Sequence, residues 1–248
     1  MSGGEGFRFA DDPLSDAVFT AAPPAASAAV CRGVGKTYRT ATESVPALVD
    51  VSLAVPRARV TVVVGPSGSG KSSLLRLLAC IDRPDTGEVF VGGQRVDRLR
   101  ARARRRLRQQ QVAYLFQRPA ENLLPYLDAV GQLRLAGQLR GVRVPDDEAL
   151  ALLDRLGLRD RAGHRPAQLS GGEQQRLAVA CGVVGSPALV VADEPTAELD
   201  TAAAERVIAA MEDLAGAGVG FVISSHDPRV MDIADGFIRL DHGRLVPP

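Results

Sequence analysis

The chain has 248 residues and a mass of 26.1 kDa, enough for one large domain, or a domain with a satellite, built on a sizeable core. Hydrophobic residues make up 46% and charged residues 24%, which excludes wholesale disorder and collagen-like or disulfide-dense scaffolds. Thirty Lys+Arg against 29 Asp+Glu leave a net charge of +1, so no whole-chain field points to nucleic acid or to a cationic partner.

Residues 1–27 are rich in Ala, Pro, Gly and Ser and carry few large apolar side chains; they read as a flexible tail, with the folded domain, 28–248, starting near Ala28. The tail lacks the cationic start and apolar run of a signal peptide. From Val30 to Val64 come short β-branched runs split by Gly33, Gly35, Pro46 and Pro56, which read as strands. The last, Val60–Val64, is apolar almost throughout, as a strand buried on both faces should be. Gly65 to Ser73 then leads into a helix through Leu74-Leu75-Arg76-Leu77-Leu78, and another strand pair is expected within Gly87–Val96.

Residues 99–108 place Leu99, Ala103 and Leu107 on one helical face and fill the rest mostly with arginine, seven of them between Arg98 and Arg108. The run reads either as an anion-binding patch or as a solvated helix face. The second is favoured because no aromatics interleave for base stacking. A strand at Val112–Phe116 precedes a mostly helical insert, followed by a helix from about Gly172, a buried strand Ala188–Ala192, a helix at about 202–214, a strand Gly220–Ser224 and closing strands within 236–246. Such alternation predicts a largely parallel sheet covered on both faces. The longest uncharged apolar stretch, Leu177–Ala192, falls short of the ~18 to 20 residues of a membrane span and is broken by Gly185-Ser186-Pro187. Cys31, Cys80 and Cys181 are far apart and form no CxxC pair, which fits buried thiols in a reducing compartment.

Three segments carry chemistry. Gly65-Pro66-Ser67-Gly68-Ser69-Gly70-Lys71-Ser72 satisfies G-x-x-x-x-G-K-[ST] between a buried strand and a helix. Backbone N–H groups and the helix N-terminus can cradle phosphates there, Lys71 can reach the β and γ phosphates, and Ser72 can bind Mg²⁺. Leu189 to Glu194 is an apolar strand ending in two carboxylates. Neighbours on a strand point opposite ways, so Asp193 is expected to hold the metal's water shell and Glu194 to act as general base. Leu169-Ser170-Gly171-Gly172-Glu173 is a capping box at a helix start, with two glycines that allow close approach of a second phosphate.

The whole set resembles the ATP-binding-cassette ATPases: GPSGSGKS as Walker A, Gln117 as the Q-loop, LSGGEQQR as the signature, LVVADE as Walker B, residues 197–200 as the D-loop and Ser225-His226-Asp227 as the switch histidine, in family order across residues 30–246. Within the family it is most similar to the ATPases of macrolide-export, lipoprotein-release and cell-division permeases, through Asn122-Leu-Leu-Pro125 and the segment from His226 to Asp235. Two places depart from that branch: Asn122 falls about two residues late, and the D-loop reads Ala197-Glu198 rather than a small hydroxyl or Gly-Asn pair.

The resemblance implies an α/β fold: a P-loop ABC ATPase core with an antiparallel β subdomain and a helical subdomain at about 118–170. It implies ATP and Mg²⁺ as ligands. Tyr38 would stack on adenine, Gly65 to Ser73 would hold the phosphates, and Ser72, Gln117 and Asp193 the metal. Glu194, His226, Gln117 and Lys71 would be catalytic. Two cassettes would pair head to tail, Ser170, Gly171 and Gly172 of one meeting the phosphates held by the other, and would drive a separate membrane permease from its cytoplasmic face. The rival reading is an ABC protein of DNA repair or translation. No nucleic-acid partner is expected, since such proteins usually carry two cassettes or a long coiled-coil insertion.

Overall fold

The structure is a computed structural model that describes residues 26–39 and 43–246. The expected tail lies outside the described residues up to residue 25; Ser27 already belongs to the first strand, opposite Pro56.

The Val-rich runs expected as several short strands form two long ones, β1 (Ser27–Arg39) and β2 (Ser44–Pro56), paired antiparallel. Gly33 and Gly35 do not end β1. They lie where the pairing register shifts, between Cys31 and Val34 and between Val34 and Lys36, so the strand bends through a bulge and continues. Pro46 is tolerated because β2 is an edge strand. With β4 (Thr86–Val91) and β5 (Gln94–Arg95) these make a four-stranded antiparallel sheet in the order β2-β1-β4-β5.

The second sheet has six strands in the order β10-β9-β3-β8-β7-β6. They are β3 (Val60–Val64), β6 (Val112–Leu115), β7 (Leu189–Asp193), β8 (Gly220–Ser224), β9 (Gly236–Asp241) and β10 (Arg244–Leu245). All neighbours run parallel except β9 and β10. Its crossovers carry α1 (Lys71–Leu78), α2 (Ala101–Gln111), α3 (Ala129–Arg140), α4 (Asp146–Arg155), α5 (Gly171–Val183), α6 (Thr201–Gly216) and α7 (Pro228–Asp232). Asp128 caps α3 by accepting from Gly131 N at 2.7 Å, and Asp200 caps α6 by accepting from Ala203 N at 2.8 Å.

Alternation along the central strands divides the apolar residues between two cores. Val60, Val62, Val190, Ala192, Phe221 and Ile223 pack with α3 to α6 on one face. Val63, Leu189, Val191, Val222, Ile238 and Leu240 pack with α1 and the antiparallel sheet on the other. The sheet is therefore buried on both sides, and the loops at its strand ends are held in place. In α2 the expected apolar stripe narrows: Leu107 is buried while Ala103 is exposed, because the helix starts at residue 101 and meets the core only along its last turns. Arg98, Arg100, Arg102, Arg105 and Arg106 are exposed, as a solvated face requires.

Cys31 and Cys80 are buried in the second core. Burial pushes both thiols up to about 12, with the neighbouring Cys80 adding to the effect on Cys31. Burial likewise raises Cys181 to about 12. The native protein at pH 8 should therefore react with a water-soluble aromatic disulfide reagent far more slowly than after unfolding in guanidinium, when all three thiols should titrate at once. Rapid labelling of Cys31 or Cys80 in the native protein would show that the second core opens.

Candidate active site

β3 ends at Val64 and the chain turns through Gly65–Gly70 into α1. This loop requires two of its glycines. A Cβ on Gly65 would lie 2.1 Å from the carbonyl oxygen of Leu240 on β9, and one on Gly70, at φ 101°, would lie 2.4 Å from that of Ala47 on β2. The loop is thus clamped between both sheets, and Gly243 N, donating to Ser69 O at 3.0 Å, braces it from the β9–β10 turn. No side chain caps α1 and no acid lies in its first turn, so the N–H groups there are free for an anion. Lys71 Nζ donates to Gly65 O at 2.6 Å and Pro66 O at 3.0 Å, which folds the ammonium back over the loop. Ser67 and Gly68 are exposed at its crest, Ser72 is exposed and Ser73 half-buried. The hydroxyl of Ser69 is buried with no hydrogen-bond partner. An uncapped helix start, a lysine over a glycine loop and an orphaned hydroxyl fit a phosphate chain.

Strand register carries the remaining groups to the same edge. Val63 pairs with Ser224, and Ser224 with Asp193. The Ser224 hydroxyl donates to Asp193 Oδ1, and the Tyr114 hydroxyl donates to Oδ2 at 3.4 Å. Burial, followed by the charge of Asp193, pushes the Tyr114 phenol up to about 12, so it stays a donor. The carboxylates separate for a reason other than strand alternation: β7 ends at Asp193, and Glu194 adopts φ 47°, leaving the strand altogether. For a non-glycine residue that conformation costs about 1–2 kcal/mol; backbone bonds to Ser224 O at 3.0 Å and from Ala197 N at 3.2 Å hold it there.

Glu194 and His226 are brought together. His226 Nε2 lies 3.7 Å from Glu194 Oε1, and the His226 backbone N–H donates to Oε2 at 3.4 Å. Asp227 anchors the histidine's loop, accepting from Arg229 Nε at 2.9 Å and Nη2 at 2.8 Å, and from Thr196 Oγ1 at 3.1 Å. Tyr114, Ser224, Thr196 and Arg229 went unnoticed in the sequence because a hydroxyl or guanidinium that orients a carboxylate belongs to no local pattern. The register of β6, β7 and β8 was the signal that could have found Ser224 and Tyr114.

Gln117 lies exposed just beyond β6. Its loop is closed by Asn122, which accepts from Phe116 N at 2.8 Å and donates to Phe116 O at 3.1 Å and Arg118 O at 3.3 Å. Tyr38 is on β1, its hydroxyl donating to Asp82 Oδ2 at 2.9 Å, with Lys36 Nζ 5.4 Å from the ring centroid. Ser170 caps α5 in the expected box, accepting from Glu173 N at 3.3 Å while Glu173 Oε2 accepts from Ser170 N at 2.8 Å. The two glycines differ: Gly172 is buried and a Cβ there would lie 2.6 Å from Ala203 Cβ of α6, whereas Gly171 is exposed. Helix packing within the chain is one reason for glycine at 172. Among the described residues no group of three or more His, Cys, Asp or Glu is arranged to hold a metal ion. The metal set expected here needs no such group, since it consists of Ser72, Gln117 and Asp193, and Asp193 is its one carboxylate.

Residues 48–197 match the family profile described as ABC transporter. The chain belongs to the ABC transporter family. The cassette is 39% identical over 217 residues to a macrolide export ATP-binding/permease protein MacB of Paracoccus denitrificans, covering 87% of this chain and 32% of that protein. A MacB protein of Burkholderia pseudomallei is 39% identical over 208 residues, covering 82% of this chain and 31% of the relative. The chain thus spans about a third of the length of these curated relatives. Among solved structures, the dimeric cassette MJ0796 in a post-hydrolysis state bound to ADP and Pi superposes with a TM-score of 0.77 at 31% identity, covering 88% of this chain and 96% of that one. The P-loop core, antiparallel subdomain and helical subdomain expected from the sequence are all present. The reading as a protein of DNA repair or translation finds no support in these relatives.

The Arg229 guanidinium holds the Asp227 carboxyl below its ordinary value of 3.8. A depressed folded value means that this contribution to stability is fully present above about pH 4 and is lost as pH falls through the lower folded value. Arg229→Gln should raise the Asp227 midpoint toward the ordinary value, measured by carboxyl NMR titration; an unmoved midpoint would remove Arg229 as the cause.

Proposed function

We propose that the chain hydrolyses ATP at a site shared between two cassettes and that the cycle drives a membrane permease. The observation that carries this reading is the meeting of Glu194 and His226 at the sheet edge where the glycine loop and Asp193 also lie. The loop, α1 and Lys71 would bind the triphosphate, and Tyr38 would offer its ring to the base. Ser72, Asp193 and Gln117 would hold Mg²⁺, which when bound neutralises charge on the β and γ phosphates. Asp193 is kept in one orientation by Ser224 and Tyr114. Glu194 would take the proton of the attacking water, with His226 beside it to orient the base and the transferred group.

The second glycine-bearing helix start, Ser170, Gly171 and Gly172 on α5, would be surplus for a nucleotide bound by one chain. Pairing head to tail with a second copy would use it, and MJ0796 is described as dimeric. No helix among the described residues is long and apolar enough to cross a membrane. The relatives' names join ATP binding to a permease, and on our reading the permease here is a separate polypeptide that holds the cassette at the cytoplasmic face.

Glu194→Gln should keep ATP and Mg²⁺ binding while losing roughly 10²-fold or more in turnover, because only the base is removed. The same variant should accumulate as an ATP-dependent dimer, and a further Ser170→Arg change should abolish that dimer. Light scattering after size exclusion, with and without Mg-ATP, beside a phosphate-release assay, reads both. Normal turnover would remove Glu194 as the base, and ATP binding without dimerisation, even with the permease, would sink the shared site.

A further inference from the structure

We infer that Arg118 and Glu198 form a positioning pair that ties the loop bearing Gln117 to the turn bearing Glu194. This rests on the proposed function, for which it names two further residues. Arg118 Nε lies 3.5 Å from Glu198 Oε1. The two residues are 80 positions apart, and neither belongs to the phosphate cradle or to the Glu194–His226 pair.

The contact is open to solvent, with side chains 69% and 47% exposed, so its direct strength is small. Its significance lies in what each end is fixed to. On one side Asn122 locks the backbone of Phe116 and Arg118 through three hydrogen bonds, and the Phe116 ring packs edge-on against Tyr114 at 5.1 Å. Tyr114 in turn donates to Asp193. On the other side Glu198 lies in a turn closed by Ala197 N to Glu194 O at 3.2 Å and Leu199 N to Thr196 O at 3.1 Å, with Thr196 donating to Asp227. Each loop is closed by its own hydrogen bonds, so less backbone freedom is lost when the pair forms, and the pair would carry a displacement of one loop to the other.

Glu121 Oε1, at 3.8 Å from Arg118 Nη1, is a second acid against the same guanidinium, on the arginine's own loop. Arg118 therefore bridges an acid of the Gln117 loop and one of the turn that follows Glu194.

The test compares Arg118→Ala, Glu198→Ala and the exchanged Arg118→Glu/Glu198→Arg protein with the full unaltered chain. Hydrogen exchange without nucleotide is read by mass spectrometry, and steady-state ATP hydrolysis alongside it. Arg118→Ala should speed exchange across residues 194–200, and Glu198→Ala across 116–122, each in the loop that was not altered. Each single change should lower kcat about two- to fivefold, the range an exposed pair can supply, with KM for ATP within twofold, and the exchanged protein should recover most of both effects. Unchanged exchange in the opposite loop, or an exchanged protein no better than the single variants, would overturn the pair. An unaltered chain that hydrolyses no ATP, alone or with its permease, would overturn the functional reading while the exchange data still decided whether the loops are tied.

Discussion

The register of the parallel strands is the constraint on which the site depends. Val63 on β3, Ser224 on β8 and Asp193 on β7 stand in one row, with Leu115 on β6 opposite Ala192 just behind. Because the four strands run the same way, whatever follows each of them emerges at one edge. The glycine loop, the Ser225-His226 turn, Glu194 and Gln117 follow these ends within three residues. A one-residue slip of any strand would turn its core face to the wrong layer, so burial on both faces locks the alignment that the chemistry needs.

That alignment explains what could be read from the amino-acid sequence and what could not. The strands β3, β7 and β8 are continuous apolar runs between turn signals, and the glycine loop, Walker B acids and signature helix are local patterns, so each was legible by itself. The long β1 and β2 were not. Gly33, Gly35 and Pro46 carry the same signal whether they end a strand, bulge it or occupy its free edge, and only the partner strand decides. Orientation of side chains was equally hidden: Tyr114 and Ser224 reach Asp193 across 79 and 31 residues.

Glu194 shows where local preference gives way to the site. A strand continued through residue 194 would have set the two carboxylates on opposite faces, one of them in a core. The left-handed conformation instead turns Glu194 along the sheet edge toward His226, at an energetic cost that backbone bonds to Ser224 and Ala197 offset. The same turn runs on to Thr196, which steadies Asp227 and with it the histidine's loop. The base and its neighbour are thus parts of one small structure, held by backbone, by the Thr196 hydroxyl and, through Asp227, by the Arg229 guanidinium.

The paired glycines of α5 separate two kinds of requirement. Gly172 is needed inside the chain, since a methyl group there would strike Ala203 and push α6 from α5. Gly171 is exposed, and a Cβ there would meet Leu199 Cδ2 only at an ordinary 3.5 Å. Alanine at 171 would restrict the unfolded chain more than glycine does, yet glycine stands there, beside a serine already occupied as a cap. Packing and backbone entropy within one chain therefore give no reason for it. A surface pressed closely against that helix start does, and in the proposed head-to-tail pair that surface is the nucleotide held by the other cassette.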